Sequence, residues 1–356
     1  MASQAVVRLP AEWEPRDGVM LTWPHEDTDW QTDLEAAERA FVSLAAAAAC
    51  FARILVVARD LDHRHHIDGL LRRAGIPAAA LRFGIAPCND TWARDHGPVV
   101  VEHRGGHGRG HGHRLRLLDF RFDGWGGKYP AELDDAITAT LHAQGVFGDL
   151  ELVEVPLVLE GGSIDGDGRG TLLTTRSCLL DGRRNPGMDQ DAMEAALARW
   201  LGARRVLWLD HGRLEGDDTD GHVDTLARFC GPGTIAYSRC PDPADPQYPE
   251  LAAMEAQLRG FRRSDGSAWE LVPLDLPAPV LDPAGARLPA NYANFLPLNG
   301  AVLVPAYGDP ADTAACAALG RAFPGSRIVP VDCSTLVRQY GSLHCATMGL
   351  PRGALP

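Results

Sequence analysis

The sequence predicts an α/β fold in a single domain that spans residues 1–356. Short apolar runs typical of strands alternate with helical stretches along the chain, which is the pattern of α/β proteins. The 38 glycines and 26 prolines are spread along the chain rather than collected into a linker, so we expect many short elements joined by turns. With 45% hydrophobic and 23% charged residues, the composition is globular and excludes a disordered or fibrous protein.

The predicted strands are short apolar runs bounded by turn residues. They span residues 54–57, 98–102, 115–120, 151–160, 170–175 and 301–305. The predicted helices span residues 33–50, 131–144, 189–200 and 311–323. The last helix follows the segment GDPAD, in which Asp309 suits the N-cap and Pro310 suits the first helical position.

The charge of the chain limits its partners. The formal net charge is −13, and Lys128 is the only lysine among 34 basic residues. Because an acidic surface repels phosphate groups, we expect no nucleic acid partner. The same sign favours a small cationic substrate.

The N-terminus, the apolar stretches and the cysteines bear on the compartment. The N-terminal residues lack the basic and apolar pattern of a signal peptide. The longest apolar stretch, residues 41–51, is too short to cross a bilayer, so we expect no membrane association. The eight cysteines include no CxxC pair, unlike those of a zinc ribbon. We therefore expect a cytoplasmic protein with reduced thiols.

One segment has an unusual composition. Residues 103–114 read HRGGHGRGHGHR, with four histidines among glycines. Such a tract can bind a metal ion. The favoured interpretation is a loop between two predicted strands, because the glycines leave the histidines unorganised.

Cys345 is a candidate nucleophile. It lies in YGSLHCATMGLP, where Ser342 and His344 provide more polar surroundings than a core cysteine usually has. A nucleophilic cysteine needs a lowered thiol pKa or a nearby base, and residues distant in the sequence would supply both. The alternative is one more buried structural cysteine.

The segment GDDTDGHVDTLARF contains a second candidate pair. His222 and Asp224 are two residues apart, so on an extended segment they project to the same side. The pair would combine a proton-transfer group with a carboxylate. A metal site is a competing interpretation, since both residue types are ligands, but no HxxxH or HExxH motif accompanies them. An acidic turn is the structural alternative.

Three more segments carry polar residues beside predicted strands. NDTWARDHGP contains Asp95, which could instead pair with Arg94 in a capped loop. LEGGSIDGDGRGTLLTT puts Glu160 at the end of a strand, where a carboxylate can orient a histidine and the two glycines allow close approach. NYANF contains Asn294, for which turn capping is the structural alternative.

Together these residues fit nucleophilic attack on a cationic carbon. A guanidinium group is planar and permanently charged, and its paired N–H donors can be bound by two carboxylates. The residue types therefore predict a small cationic guanidino substrate.

With these motifs in order, the chain resembles the agmatine deiminases, a group that also includes the bacterial type of peptidyl-arginine deiminase, within the guanidine-modifying superfamily. The resemblance extends from LPAEWEPRDGVMLTWPHEDTDW to GSLHCATMGLP and so covers nearly the whole chain. WARDHGP, EGGSIDGDGRGTLLTT, DGHVD, NYANF and the late HC occur in the family's order.

The resemblance implies a fold and a reaction. The fold would be a five-bladed α/β-propeller of pseudo-fivefold ββαβ repeats around a central site. The reaction would be the hydrolysis of agmatine to N-carbamoylputrescine and ammonia through a covalent amidino-cysteine intermediate, with no metal or organic cofactor. We also allow for a homodimer.

The resemblance further implies residue roles. Cys345 would be the nucleophile and His222 the general acid and base. Asp95 and Asp224 would bind the guanidinium, and Glu160 would orient His222.

The remaining predicted site residues would bind the rest of the substrate. They are Trp92, Asp218 and Asn294. Some family members carry glutamate four residues before the catalytic histidine to hold the distal amine, and Asp218 occupies that position here. Trp92 would add an apolar wall and a cation–π surface.

The sequence departs from the family pattern in two places: GSLHC replaces the commoner GGNIHC, and Asp218 is one methylene shorter than the glutamate of those members. Both changes leave the chemistry intact but leave the far end of the substrate open. The alternatives to agmatine hydrolysis are a deiminase of free or peptidyl arginine, and an amidino transferase. A non-catalytic guanidino- or metal-binding protein is the alternative from another class.

Overall fold

The computed structural model describes residues 6–104 and 114–356. Most of the histidine-rich segment, at residues 105–113, lies outside the described residues. Within the described ranges, no helix is both long and apolar enough to cross a bilayer.

The described part of the chain contains seventeen strands, most of them short. In chain order they are β1 (Val6–Arg8), β2 (Arg16–Thr22), β3 (Arg53–Ala58), β4 (Leu81–Ile85), β5 (Val99–Arg104), β6 (Arg114–Arg121), β7 (Glu151–Val158), β8 (Ile164–Gly166), β9 (Thr171–Thr175), β10 (Arg205–Leu209), β11 (Ala227–Gly231), β12 (Thr234–Arg239), β13 (Glu270–Asp275), β14 (Leu296–Leu298), β15 (Ala301–Ala306), β16 (Arg327–Asp332) and β17 (Met348–Pro351).

The same ranges contain ten helices. In chain order they are α1 (Leu34–Ala49), α2 (Leu61–Arg73), α3 (Ala93–His96), α4 (Gly124–Gly127), α5 (Glu132–Asp135), α6 (Ile137–Ala143), α7 (Arg176–Leu179), α8 (Gln190–Leu201), α9 (Tyr248–Gly260) and α10 (Ala311–Ala322). The mixed α/β character that the sequence predicts is confirmed.

The described strands form five small sheets, none of which closes on itself. Their strand orders are β1-β5-β6-β7, β8-β9-β10, β11-β12-β13, β14-β15-β16 and β17-β2-β3-β4. Each sheet contains an antiparallel pair with a parallel strand beside it; β8 and β9 are antiparallel, for example, and β10 is parallel to β9. Helices make the parallel connections, as α1 does between β2 and β3.

Each predicted strand overlaps an observed one, and three of the predicted helices correspond to α1, α8 and α10. The start of α10 differs by one residue from the prediction. Asp309 accepts a hydrogen bond from the Ala311 backbone N–H at 2.8 Å, but Pro310 is the N-cap and the helix begins at Ala311.

The prediction of one continuous helix over residues 131–144 is wrong. The structure has α5 and α6 there, separated at Ala136. Asp135, the last residue of α5, accepts hydrogen bonds from the Phe122 backbone N–H at 2.6 Å and from Arg121 Nε at 3.1 Å. These bonds tie the end of α5 to the segment after β6, and the helix begins again one residue later.

The core lies between the sheets and the helices that connect their strands. In β3, residues 54–58 are all buried, as expected for a strand covered on both faces. Phe41 of α1 packs against Trp23, with ring centroids 5.6 Å apart in an edge-to-face arrangement.

Five of the eight predicted site residues share one location in the topology. Each lies within four residues before a strand of an antiparallel pair, in a different sheet. Asp95 precedes β5, Glu160 precedes β8, Asp224 precedes β11, Asn294 precedes β14 and Cys345 precedes β17. The five sheets therefore each contribute one such residue to the same region.

Candidate active site

Six of the eight predicted site residues line one cavity. They are Trp92, Asp95, Asp218, His222, Asp224 and Cys345. Glu160 and Asn294 lie behind this lining, and each approaches a residue that belongs to it. The structure thus brings together residues that are up to 253 positions apart, from Trp92 to Cys345.

Short helical turns position the reacting groups. Asp95 lies in α3, which packs against a 3₁₀ helix at Gly161–Ser163. A second 3₁₀ helix, Val223–Thr225, contains Asp224 and packs against the first. Because each turn holds its backbone rigidly, the carboxylates enter the cavity from fixed directions.

Gly162 makes the convergence of these groups possible. A Cβ atom at this position would lie 2.6 Å from His222 Nδ1, 2.9 Å from Asp95 Oδ1 and 3.2 Å from Asp224 Oδ2. The absence of a side chain therefore lets three polar groups approach the same backbone. This is the close approach that the glycine pair after Glu160 predicts.

Cys345 is buried at the base of the cavity. Its Sγ atom lies 3.2 Å from Asn294 Nδ2 and 3.8 Å from Asp224 Oδ2. Burial and the charges of Asp224 and Asp95 raise the pKa of the thiol well above its usual value. A cation bound between the two carboxylates would offset their charges and so favour the thiolate.

The two aspartates differ in their partners. Asp95 accepts hydrogen bonds from the Gly162 backbone N–H at 2.9 Å and from Trp125 Nε1 at 3.0 Å. Burial, followed by the charges of Asp224 and Glu160, raises its pKa well above the usual value. Both acceptor bonds fix the Asp95 carboxylate in the cavity wall.

One of the two carboxylate oxygens of Asp224 is unpaired. Its Oδ2 accepts a hydrogen bond from His344 Nδ1 at 2.8 Å, whereas Oδ1 is buried without a hydrogen-bond partner in the described part of the chain. Burial would raise the pKa of Asp224, but the hydrogen bond from His344 and the nearby positive charges hold it below its usual value. Asp224 is therefore ready to accept from a cationic donor.

His222 is a neutral, unpaired imidazole. Its Nδ1 lies 3.6 Å from Asp95 Oδ1, and neither ring nitrogen forms a hydrogen bond with any described residue. Burial lowers the pKa of His222 to about 3. As a neutral imidazole, the ring has one nitrogen that can accept a proton.

Glu160 forms a buried ion pair with Arg184. Its Oε1 accepts a hydrogen bond from Arg184 Nε at 2.6 Å, and both side chains are fully buried. Its Oε2 has no hydrogen-bond partner among the described residues, although a carboxylate oxygen lies within 4.8 Å of both His222 and Cys178. The predicted orientation of His222 by Glu160 thus stays a prediction.

Glu160, Cys178 and His222 also form the one group in the described chain with spacing suited to a metal ion. The Arg184 guanidinium already neutralises the Glu160 carboxylate, which weakens the attraction for a further cation. The arrangement therefore favours proton transfer over metal binding.

The outer part of the cavity combines aromatic and acidic residues. Gly341 packs closely against Trp92. A Cβ atom at this glycine would lie 2.2 Å from the nearest atom of the indole ring. Asp218 accepts a hydrogen bond from the Tyr129 hydroxyl at 3.1 Å. Burial and the charge of Asp217 raise the pKa of Asp218 to about 6.

The lining is rich in carboxyl groups and poor in basic side chains. It includes six aspartates and, among the described residues that line it, no arginine and no lysine. The six are Asp29, Asp90, Asp95, Asp217, Asp218 and Asp224. Such a cavity suits a substrate with more than one positive charge.

Sequence reasoning missed a charged network behind the cavity, centred on Glu12. This carboxylate accepts hydrogen bonds from Arg94 Nη1 at 2.6 Å, Arg228 Nη2 at 2.5 Å and His344 Nε2 at 2.8 Å. Burial would raise the pKa of Glu12, but these three groups hold it well below its usual value. The position of Glu12 within LPAEWEP was the available signal, since that segment belongs to the family resemblance.

Asn294 caps the segment that carries Cys345. Its Oδ1 accepts hydrogen bonds from the backbone N–H groups of His344 at 2.8 Å and Cys345 at 3.2 Å. Together with its Nδ2 contact to the thiol, these bonds fix the direction of Cys345. The capping role that the sequence left open for Asn294 is therefore present.

Comparisons with known proteins agree with one another. The family model of the Porphyromonas-type peptidyl-arginine deiminases matches residues 8–351. The agmatine deiminase of Stutzerimonas stutzeri is 33% identical, over 96% of this chain and 95% of its own. The agmatine deiminase of Medicago truncatula is 32% identical, over 96% of each chain.

Solved structures also resemble this chain over its length. A C. jejuni agmatine deiminase with a cysteine-to-serine substitution and bound substrate has a TM-score of 0.89 and 32% identity, covering 100% of this chain and 99% of its own. A Porphyromonas gingivalis chain provisionally named an arginine deiminase has a TM-score of 0.90 and 44% identity, covering 98% of this chain and 100% of its own.

Proposed function

Because the chain belongs to the Porphyromonas-type peptidyl-arginine deiminase family, we propose that it is a hydrolase that converts agmatine and water to N-carbamoylputrescine and ammonia. Relatives named agmatine deiminase match nearly its whole length. A related agmatine deiminase of the same fold holds its substrate.

The charge of the cavity carries the choice of agmatine. Agmatine has a guanidinium at one end, an ammonium at the other and no carboxylate. Six aspartates line the cavity, whereas none of its described lining residues is an arginine or a lysine. Free arginine would bring a carboxylate into this negative field without a cation to bind it. Both ends of agmatine are positively charged and can each pair with a carboxylate of the lining.

In the proposed mechanism, Asp95 and Asp224 bind the guanidinium and hold its carbon against Cys345. The bound cation lowers the pKa of the thiol, and His222 takes the thiol proton. Cys345 Sγ then attacks the guanidinium carbon. Holding the two reactants in this orientation supplies much of the rate enhancement.

His222 handles the protons of both half-reactions. As imidazolium it donates its proton to the departing nitrogen, which leaves as ammonia and gives the amidino-cysteine intermediate. As imidazole it then takes a proton from water, which attacks the same carbon, and it finally returns that proton to Cys345 as the thioether bond breaks. Acid–base help of this kind typically contributes ~10²–10⁴ in rate.

The remaining predicted residues act on orientation and on the far end of the substrate. Glu160, held by Arg184, orients His222. Trp92 packs against the four-carbon chain, and Asp218 binds the ammonium. Asn294 keeps Cys345 in line through its three hydrogen bonds.

We further propose that the five sheets are the blades of a five-bladed α/β-propeller. Two observations support it: every sheet repeats an antiparallel pair followed by a parallel strand, and every sheet has one predicted site residue just before a strand of its antiparallel pair. The single domain over residues 1–356, the cytoplasmic location and the homodimer stay predictions.

Ammonia release from agmatine, free arginine and a blocked arginine peptide tests the function. We expect EDTA-treated protein to turn over agmatine with the highest kcat/KM. Higher kcat/KM with arginine would identify an arginine deiminase, the second candidate that the 44% identical chain suggests. Loss of activity with EDTA that zinc restores would contradict the cysteine mechanism.

A further inference from the structure

We propose that Glu12 is a positioning residue for the guanidinium-binding aspartates, acting through His344 on Asp224 and through Arg94 on Asp95. The proposal rests on the proposed guanidino substrate but not on which guanidine it is. Glu12 does not touch the active-site cavity; it lines a second cavity that shares no lining residue with the first. Its effect on the substrate must therefore pass through other side chains.

The first path runs through His344. The ring donates through Nδ1 to Asp224 Oδ2 and lies with Nε2 against Glu12 Oε2, both at 2.8 Å. A ring held at both nitrogens has one orientation. With Oδ2 engaged in this way, the Asp224 carboxylate has a fixed orientation, and its Oδ1 has no hydrogen-bond partner among the described residues.

The second path runs through Arg94. Its Nη1 donates to Glu12 Oε1 at 2.6 Å, and its backbone N–H donates to the Cys345 carbonyl at 3.1 Å. Arg94 precedes Asp95 in α3, so the pull of Glu12 on the guanidinium fixes the turn that carries Asp95. One carboxylate thus links both aspartates and the backbone of the nucleophile.

A purely structural role for Glu12 would be to hold its own loop in place. Glu14, two residues later, already does this: its carboxylate accepts from Arg8 Nη1 at 2.6 Å, Arg8 Nη2 at 2.8 Å and the Ala11 backbone N–H at 3.0 Å. Glu14 therefore provides a matched control, since it anchors the same loop but contacts none of the site residues.

The experiment compares Glu12→Gln with Glu14→Gln. In the Cys345→Ala background, which cannot turn over substrate, calorimetry measures binding of agmatine and of a short guanidine without the amine. We expect Glu12→Gln to weaken both by the same factor, about 10–100-fold, as loss of an orienting partner does at metal sites. Glu14→Gln should change both by less than about twofold.

A double-mutant cycle checks the route. If Glu12 acts through His344, then Glu12→Gln combined with His344→Gln should bind no more weakly than the weaker single variant. Melting temperatures show which variants fold, and His344→Gln alone tests the path if Glu12→Gln does not fold. Equal effects of Glu12→Gln and Glu14→Gln, or additive effects in the cycle, would overturn the proposal. Failure of the unmodified protein to act on agmatine while it binds another guanidine would instead refute only the proposed substrate.

Discussion

The two faces of the site centre differ in how fully their polar groups are paired. Among the residues that line the cavity, His222 has two ring nitrogens and Asp224 has one carboxylate oxygen without a hydrogen-bond partner in the described chain. On the opposite face, Glu12 is bound by three cationic or donor groups. Neighbours in the sequence fall on different faces: Asp95 lines the active-site cavity and Arg94 lines the second one.

This difference in pairing suggests that the cavity face serves substrate binding and the opposite face serves the stability of the fold. An unpaired buried polar group costs about 1–3 kcal/mol, and here such groups lie where a cationic substrate would pair with them. The ion pairs around Glu12 offset this cost, because they hold the same segments in place without involving the substrate. Substitutions on the two faces should therefore have different consequences.

The largest expected effect is at the cavity face. Cys345→Ala should abolish turnover, because no other group can form the covalent intermediate, yet it should still bind agmatine through Asp95 and Asp224. Calorimetry and ammonia release measure the two properties. Cys230→Ala, which removes a buried thiol away from the cavity, should keep activity. Loss of binding together with turnover in Cys345→Ala would show that Cys345 is structural.

On the other face, Arg228→Met should mainly lower stability. Arg228 pairs with Asp165 at 3.0 Å and with Glu12 at 2.5 Å, and its removal leaves two buried carboxylates without that cation. Breaking a buried pair in this way costs about 3–5 kcal/mol, measurable by urea denaturation. Arg239→Met breaks a half-exposed pair with Asp275 and should cost less than about 1 kcal/mol. Equal losses would mean that the network is no more than surface charge.

A smaller effect is expected at the outer end of the cavity. Asp218→Asn should raise the KM for agmatine about tenfold, or about 1.4 kcal/mol, with little change in kcat, because the lost charge contacts only the remote amine. A short guanidine without the amine should be unaffected. Glu215→Gln, on the same loop but half-exposed, is the control. If both substrates are affected equally, Asp218 is not the amine anchor.

The smallest effect is a pH dependence of the same residue. Because the pKa of Asp218 is about 6, the carboxylate is charged above pH 6 and neutral below it. The kcat/KM for agmatine should therefore fall as the pH drops through 6. Asp90, whose pKa burial raises to about 7, also lines the cavity and adds its own step. The contribution of Asp218 to the pH dependence of kcat/KM is the one that disappears in Asp218→Asn. An unchanged pH profile in that variant would contradict the assignment.

The sequence predicted the cavity face better than the opposite one. Asp95, His222, Asp224 and Cys345 are polar residues in recognisable motifs beside strands, and the fold brings all four to one cavity. The partners of a buried charge cannot be read in the same way, because they come from distant segments. Glu12 and His344 are 332 residues apart, and nothing in either motif indicates the other.

Local elements were missed for other reasons. Strands β8 and β14 have three residues each, too few for a periodic pattern. The break between α5 and α6 depends on the bonds of Asp135 to residues 121 and 122, which propensity does not include. The pairing of Glu160 with Arg184 was not predicted, because Arg184 lies in a loop without a motif.

The pairing of β17 with β2 affects how the protein is made. β2 leaves the ribosome early, but its antiparallel neighbour β17 comes after every other strand. Until then one edge of that sheet has unpaired backbone groups, a template for unwanted association that a chaperone would have to shield. Cys345 lies three residues before β17, so the proposed nucleophile leaves the ribosome together with the last strand. A chain cut short before this point therefore carries neither the proposed nucleophile nor the strand that covers the edge of β2.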